Sequence, residues 1–334
     1  MKTTVTMMCA VLAAAGCKKD STPTPQPMPP TGSGGNTGSG GTTTSTGSGG
    51  GNHWLVGHLG LMENISDTGH DAQGYNLGST EDLNAIACRY AGEAWVVGAQ
   101  GTLLYTNDGG SSWVAQVVPA IGDLRGVATQ DDGPVYIAGN GTFLITRDTG
   151  ATWTSFGDGT TAFRSVAAAQ LSDTVLAVSD DGGLWAYNGA LARRTTVIGA
   201  RAVAVSPDGE SAMLAGAGLW RSIDAGVTWT ALTVDPAIVF DDVRIAEDGS
   251  AVAVGNAGAI ANIDVTGAVS VQHVGTADLH TLHVPDPDSA ADGGIAAGDN
   301  GVVWLSADAG QTWTLGPNVG RTVRGVDAIG TNHR

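Results

Sequence analysis

One eight-residue pattern, Ser/Thr-x-Asp-x-Gly-x-Ser/Thr-Trp, is written four times in this chain: TNDGGSSW at 106–113, TRDTGATW at 146–153, SIDAGVTW at 222–229 and SADAGQTW at 306–313. Its tryptophans, Trp113, Trp153, Trp229 and Trp313, lie 40, 76 and 84 residues apart. That is one period of about 40 followed by two double periods, the signature of a repeat architecture in which two copies have lost the pattern.

The repeating unit is longer than this box. One copy reads LNAIACRYAGEAWVVGAQGTLLYTNDGGSSW from Leu83, and the next reads LRGVATQDDGPVYIAGNGTFLITRDTGATW from Leu124. Each holds a short apolar strand, a Gly- or Asp-rich turn, a second strand ending in Gly, a Gly turn, a third strand, and the box leading into a fourth. Four strands per 40 residues is a propeller blade. Further copies begin at Phe163, Ala200, Phe240 and Leu279; the Phe163 copy lacks the box, and the Phe240 copy keeps only Asp264 and Gly267 of it. That makes six blades.

The ends supply a seventh. HWLVGHLGLMENISDTGHDA from His53 aligns with AWVVGAQGTLLYTNDGGSSW at a spacing of 41, matching Trp54 to Trp95, Gly57 to Gly98, and Asp67 and Gly69 to Asp108 and Gly110, but it has no first strand. VRGVDAIG from Val323 is a first strand with nothing after it. The expectation is an all-β, seven-bladed propeller over residues 53–334, closed by N- and C-terminal strands that share one blade and so leave no open sheet edge at the seam.

Within the box, Asp108, Asp148, Asp224 and Asp308 are expected to accept backbone N–H bonds, glycine to supply positive φ, the Ser or Thr hydroxyl to lock the turn, and tryptophan to pack over it. These residues therefore read as a structural clasp rather than a catalytic set.

The first 52 residues are of another kind. MKTTVTMMCAVLAAAGC has Lys2, an apolar run from Val5 to Ala15 and small residues leading to Cys17, which reads as an export signal over residues 1–16 and is too short to span a bilayer. The AAGC at its end resembles a bacterial lipobox, although Ala14 stands where Leu is favoured; the resemblance implies an acylated Cys17 that holds the protein on a membrane. Residues 17–52 contain almost nothing to bury and read as a tether rich in Gly, Ser, Thr and Pro with a reach of roughly 30 Å. Of three cysteines, Cys9 leaves with the signal and Cys88 lies in an apolar strand without a partner, so no disulfide framework is expected.

Residues 53–334 carry 12 arginines, no lysine and 31 acids, within a formal charge of −17 for the whole chain. A surface that acidic excludes long-range steering of nucleic acid.

The boxes resemble the Asp-box, or BNR, repeat of sialidases and sortilin-type receptors. The whole blade, VVGAQGTLLYTNDGGSSW with a following Leu-Arg-Gly-Val strand, looks most like the photosystem II stability and assembly factor family. That resemblance implies an exported seven-bladed propeller that binds assembly intermediates and catalyses nothing. Combined with Cys17 and its tether, it implies a lipoprotein of the bacterial envelope, on the periplasmic or the cell-surface side, working as a monomer.

Two functional classes remain in view. A sialidase-like glycosidase needs three clustered arginines, a Tyr activated by Glu and an Asp acid. Here Tyr105 and Tyr136 fall in blade strands with no glutamate expected near them, and a glycan-binding or glycan-cleaving protein is the second reading. His280 and His283, three apart on a strand, point to opposite faces and do not chelate together; the pairs Asp131–Asp132 and Asp180–Asp181 read as solvated turn residues. No metal and no cofactor is implied. The first reading, a binding module, rests on the inner strands. Aligned, they place Asn84, Arg125, Arg164, Arg201, Asp241, His280 and Arg324 at one blade position, the second residue, which recurs around the mouth of a central channel. Two roles fit the four arginines: holding a carboxylate or acidic segment of another envelope protein, or pairing with acids of neighbouring blades.

Overall fold

A computed structural model describes residues 52–66, 72–75, 80–89, 92–119, 122–285 and 293–329. Cys17, the tether up to residue 51, and Asp67 and Gly69 lie outside the described residues. Seven four-stranded antiparallel sheets follow one another along the chain as blades of a β-propeller. The inner strands are Leu83–Arg89 in blade I, Leu124–Thr129 in II, Phe163–Ala168 in III, Ala200–Val205 in IV, Phe240–Ile245 in V, Leu279–His283 in VI and Val323–Ile329 in VII. Each is followed outward by a second, third and outer strand.

The second strands explain the composition. Val135–Gly139, Val175–Ser179, Ala212–Gly216, Ala251–Gly255 and Gly294–Gly298 are buried at every residue. A strand covered on both faces loses the polar alternation of a half-exposed one and reads as an unbroken apolar run. What covers it is the next blade. The buried apolar residues fall into seven clusters, each drawn from two adjacent blades: Trp95, Val97 and Leu103 of blade I meet Leu124, Val127 and Ile137 of blade II, and Met213 of IV meets Phe240 of V. Each fully buried Val, Leu or Ile contributes about 1.5–3 kcal/mol, so the interfaces between blades carry the stability.

Closure is as the sequence implies. Blade VII takes its inner strand, Val323–Ile329, from the C-terminal end, and Asn52–Gly57, Leu61–Ser66 and Ala72–Gly74 from the N-terminal end. Asn52 pairs with Ile329, Leu55 with Val326 and Gly57 with Val323. Val323 and Val326 join Leu55 and Ile65 in the cluster shared with blade VI.

The box folds the same way at all four sites. Thr106 Oγ1 donates to Asp108 Oδ1 at 2.7 Å and accepts the Gly110 N–H at 3.0 Å, while the Ser112 N–H and hydroxyl donate to the two carboxylate oxygens at 2.9 and 2.6 Å. Asp148, Asp224 and Asp308 repeat these contacts with Thr152, Thr228 and Thr312. Two left-handed residues in succession follow each aspartate. The first tolerates a side chain, as Thr149, Ala225 and Ala309 show, whereas the second is glycine every time. A Cβ on Gly110 would strike Trp54 of blade VII, and one on Gly226 would strike Leu176 of blade III, because the turn presses on the preceding blade. The tryptophans seal that contact: Trp113 meets Trp54 edge-on at 5.6 Å, and Trp229 and Trp313 donate Nε1–H to the Gly226 and Gly310 carbonyls at 3.2 and 3.0 Å. Where the box is absent, the outer strand takes its residues. Leu191–Thr196 of blade III and Val269–His273 of blade V run for six and five residues, against two in each of blades I, II, IV and VI.

Deleting residues 322–334 is expected to abolish cooperative thermal unfolding, because it removes one strand of blade VII and uncovers the apolar face of blade VI. Differential scanning calorimetry tests this, and a truncated chain melting within a few degrees of the parent would show that the seam is dispensable. Asp108→Ala is expected to lower Tm by roughly 2–6 °C by leaving turn N–H groups unpaired. The box carboxyls are held below their ordinary range by these hydrogen bonds, Asp224 at about 2 chiefly by the Thr228 backbone N–H and hydroxyl. Their stabilisation is complete above the ordinary carboxylate range and is lost as the pH falls through the lowered folded values. A pH series of melting curves should show that acid-side loss in the parent, and a smaller one in the variant.

Candidate functional site at the channel mouth

All seven inner strands carry the same defect. The pairing register with the second strand shifts around the second residue, leaving Asn84, Arg125, Arg164, Arg201, Asp241, His280 and Arg324 outside the ladder as bulges. A bulge re-aims its side chain, and here it aims all seven into one channel of about 1000 Å³ along the ring axis. The opposing residue of the second strand is glycine in six blades. A Cβ on Gly57, Gly98, Gly139, Gly216, Gly255 or Gly298 would overlap the carbonyl oxygen just before the inner strand. Blade III has Ser179 there instead.

The seven residues form a belt. Arg324 Nη1 pairs with Asp82 of blade I at 3.0 Å and donates to Asn84 Oδ1 at 2.9 Å, and Asn84 Nδ2 donates to the Leu124 carbonyl of blade II at 2.8 Å. Arg125 reaches Asp180 of blade III at 2.6 Å, and Arg164 leans on the other oxygen of that carboxylate at 3.4 Å. Arg201 pairs with Asp241 of blade V at 2.5 Å; Asp241 faces His280 of blade VI at 3.0 Å, and His280 faces Asp299 at 2.9 Å. Pairing with acids of neighbouring blades therefore holds for Arg125, Arg201 and Arg324, whereas Arg164 pairs within its own blade. Asp180 and Asp181 are not merely solvated turn residues as the sequence suggested: Asp180 bridges two arginines, and Asp181 pairs with Arg193 at 2.9 Å.

The belt breaks where two neighbouring arginines turn apart. Arg164 turns back to its own blade and Arg201 turns forward to blade V, so among the described residues no ion pair crosses from blade III to blade IV. The side chains of Arg125, Arg164, Arg201 and Arg324 remain 30, 45, 41 and 40% exposed. Each has guanidinium donors beyond those its partner uses.

A second clasp on this face was not read from the sequence. Asp82, Asp123 and Asp278 stand immediately before inner strands, and each accepts an N–H from the preceding blade: from Leu59, Gln100 and Ala257 at 3.0, 3.0 and 2.8 Å. Those donors all sit at φ of 52–55°. The signal was an Asp-Leu pair recurring at the head of three repeats.

Deeper in the channel, side chains cap the free edges of inner strands across blade boundaries. Ser165 accepts the Val203 N–H at 3.3 Å, Asp242 that of Leu282 at 3.1 Å, Thr281 that of Val326 at 3.1 Å, and Asp327 that of Cys88 at 2.7 Å. Burial pushes the Asp242 carboxyl up; in Asp327 burial is outweighed by His283, whose Nδ1 lies 3.0 Å away, together with Arg244 and the Cys88 N–H, and the carboxyl stays below its ordinary range. His280 at the mouth and His283 in the channel thus serve different carboxylates. Cys88 is buried, and burial raises its thiol. Among the described residues no cluster of three or more His, Cys, Asp or Glu is placed to hold a metal ion.

Tyr105 departs from expectation, because its hydroxyl donates to Glu93 at 2.8 Å. Burial and that carboxylate raise the phenol, the opposite of what a tyrosine nucleophile needs, and Glu93 is already paired with Arg89 at 3.2 Å.

No protein-family model matches this chain, and no curated protein matches it in sequence. Solved structures do match. A structure of YCF48 bound to D1 peptide is similar with a TM-score of 0.57 at 20% identity, covering 72% of this chain and 84% of that one. YCF48 from Cyanidioschyzon merolae gives 0.53 at 15% identity, covering 72% and 86%. A chain of a Nidogen/Laminin complex gives 0.55 at 9% identity, covering 84% and 99%. At such identities the likeness is one of fold, and the class of the protein is a seven-bladed β-propeller.

Proposed function

We propose that this protein is an exported, lipid-anchored propeller that captures an acidic segment of another envelope protein at the arginine-bearing mouth of its channel, as a binding or assembly-assisting module without catalysis. The observation that carries the reading is the break in the belt. Arg164 and Arg201 are neighbours in the ring with no ion pair between their blades, and a carboxylate placed there would accept charge-assisted hydrogen bonds from both. The similar structure in which YCF48 is bound to D1 peptide supports a peptide as ligand. Cys17 and the 17–52 tether support the anchor.

The double variant Arg164→Ala/Arg201→Ala is expected to weaken binding of a fluorescein-labelled Glu-rich peptide at least tenfold, or about 1.4 kcal/mol, by anisotropy. Added salt should weaken the parent's binding too, although the net charge of −17 alone would predict that salt relieves repulsion. Unchanged affinity in the variant, or binding strengthened by salt, would place the docking surface elsewhere. For the anchor, Cys17→Ser is expected to move the protein from the membrane to the soluble fraction, and unchanged membrane association would count against acylation.

A further inference from the structure

One link of the belt is titratable in a way its geometry makes explicit. His280 stands between two carboxylates, with Nδ1 3.0 Å from Asp241 Oδ2 and Nε2 2.9 Å from Asp299 Oδ1. Ionised carboxylates accept and do not donate, so both contacts are hydrogen bonds only when both ring nitrogens carry protons. A neutral imidazole has one N–H, and its bare nitrogen would face carboxylate oxygen at hydrogen-bonding distance.

The two ties are unequal. Asp241 also holds Arg201 of blade IV and is 21% exposed. Asp299 lies in the turn between the second and third strands of blade VI and is 43% exposed; besides His280 it accepts a long hydrogen bond, 3.4 Å, from the Thr322 hydroxyl that leads into blade VII. The groups facing His280 are therefore Asp241 with Arg201 behind it, Asp299, and Thr322 through Asp299. Arg324, two residues beyond Thr322, is turned away to Asp82 and Asn84. Loss of one proton from His280 would release Asp299 first.

We infer that His280 is a proton-operated gate on the channel mouth: as imidazolium it ties the rims of blades V and VI and offsets their carboxylates, and on deprotonation it frees Asp299 and makes the arginine-bearing ring one charge more negative. This regulation rests on reading that ring as the docking site for an acidic segment. The hydrogen bond that His280 donates to Asp241 is the largest influence on the imidazolium, burial opposes it, and the one donated to Asp299 adds to it, so the proton is held above the ordinary histidine range. A raised folded value means that the double tie is complete below about pH 6.5 and that its Asp299 arm is lost as the pH rises through the higher folded value. An acidic partner should dock more tightly at mildly acidic pH.

Two measurements on the full chain test this. Long-range ¹H–¹⁵N spectra of the imidazoles, with His280 assigned by its loss in His280→Gln, should show both nitrogens protonated at pH 6 and a titration above the ordinary value. Anisotropy with the Glu-rich peptide from pH 5.5 to 9 should show affinity falling about two- to fivefold across that same titration. His280→Gln should flatten this dependence and Asp299→Asn should move it to lower pH, whereas His273→Gln on the outer strand of blade V should leave it intact. A His280 with one bare nitrogen at pH 6 would overturn the gate, as would a raised titration with pH-independent peptide affinity. If the peptide fails to bind at every pH, the docking assignment falls and the gate's effect on a partner falls with it, while the imidazole spectra still decide whether His280 donates to both carboxylates.

Discussion

No blade of this protein can cover its own second strand. In five blades every residue of that strand is buried, and the covering atoms belong to the blades on either side. The remaining features follow from this dependence. An open row of blades would leave two apolar faces uncovered, so the ring must close, and the C-terminal strand Val323–Ile329 closes it against Asn52–Gly57. Seven wedges packed side to side leave a channel where they meet, and the inner strands around it are edges whose N–H groups need partners. Ser165, Asp242, Thr281 and Asp327 supply them from the neighbouring blade. The four boxes serve the same interface at its outer margin, since the glycine of each presses on the preceding blade.

The mouth belongs to this scheme as well. Each inner strand opens with a bulge, and the residue expelled from the ladder is free to vary because it packs into no blade. Four of the seven are arginine on a chain with a large surplus of acid. Neighbouring charges of that sign require compensation: Asp180 supplies it between Arg125 and Arg164, and among the described residues no acid does so between Arg164 and Arg201. One set of residues therefore holds blades together and leaves donors facing solvent. Burying such pairs further would carry a large desolvation cost; at 30 to 45% exposure the arginines avoid most of it.

The architecture and the membership of the ring were legible in the sequence because both repeat: a period of about 40 residues counts blades, and one aligned column gives the mouth. What repeats irregularly was not legible. Asp180 and Asp299 come from turns after second strands, at offsets of 16 and 19 residues from Arg164 and His280, and the same position in the other five blades holds His58, Ala99, Asn140, Ala217 and Asn256, so no acidic column marks them as partners. The bulge leaves no residue type of its own, although the glycine opposite it was a trace. Tyr105 and Glu93 are 12 residues apart, and only the hairpin register, with Trp95 opposite Tyr105, brings them together. The N-terminal reading of export and acylation draws on residues before Asn52.

The register of blade VII also fixes a direction. Gly57 lies opposite Val323, at the end of the strand that bears Arg324, whereas Asn52 lies opposite Ile329 at the other end. The polypeptide thus joins the ring on the side of the boxes, one strand length, about 20 Å, from the arginines. Whatever is joined to the chain ahead of Asn52 therefore meets the ring on the face opposite the arginines, and a ligand at the mouth would approach from the far side.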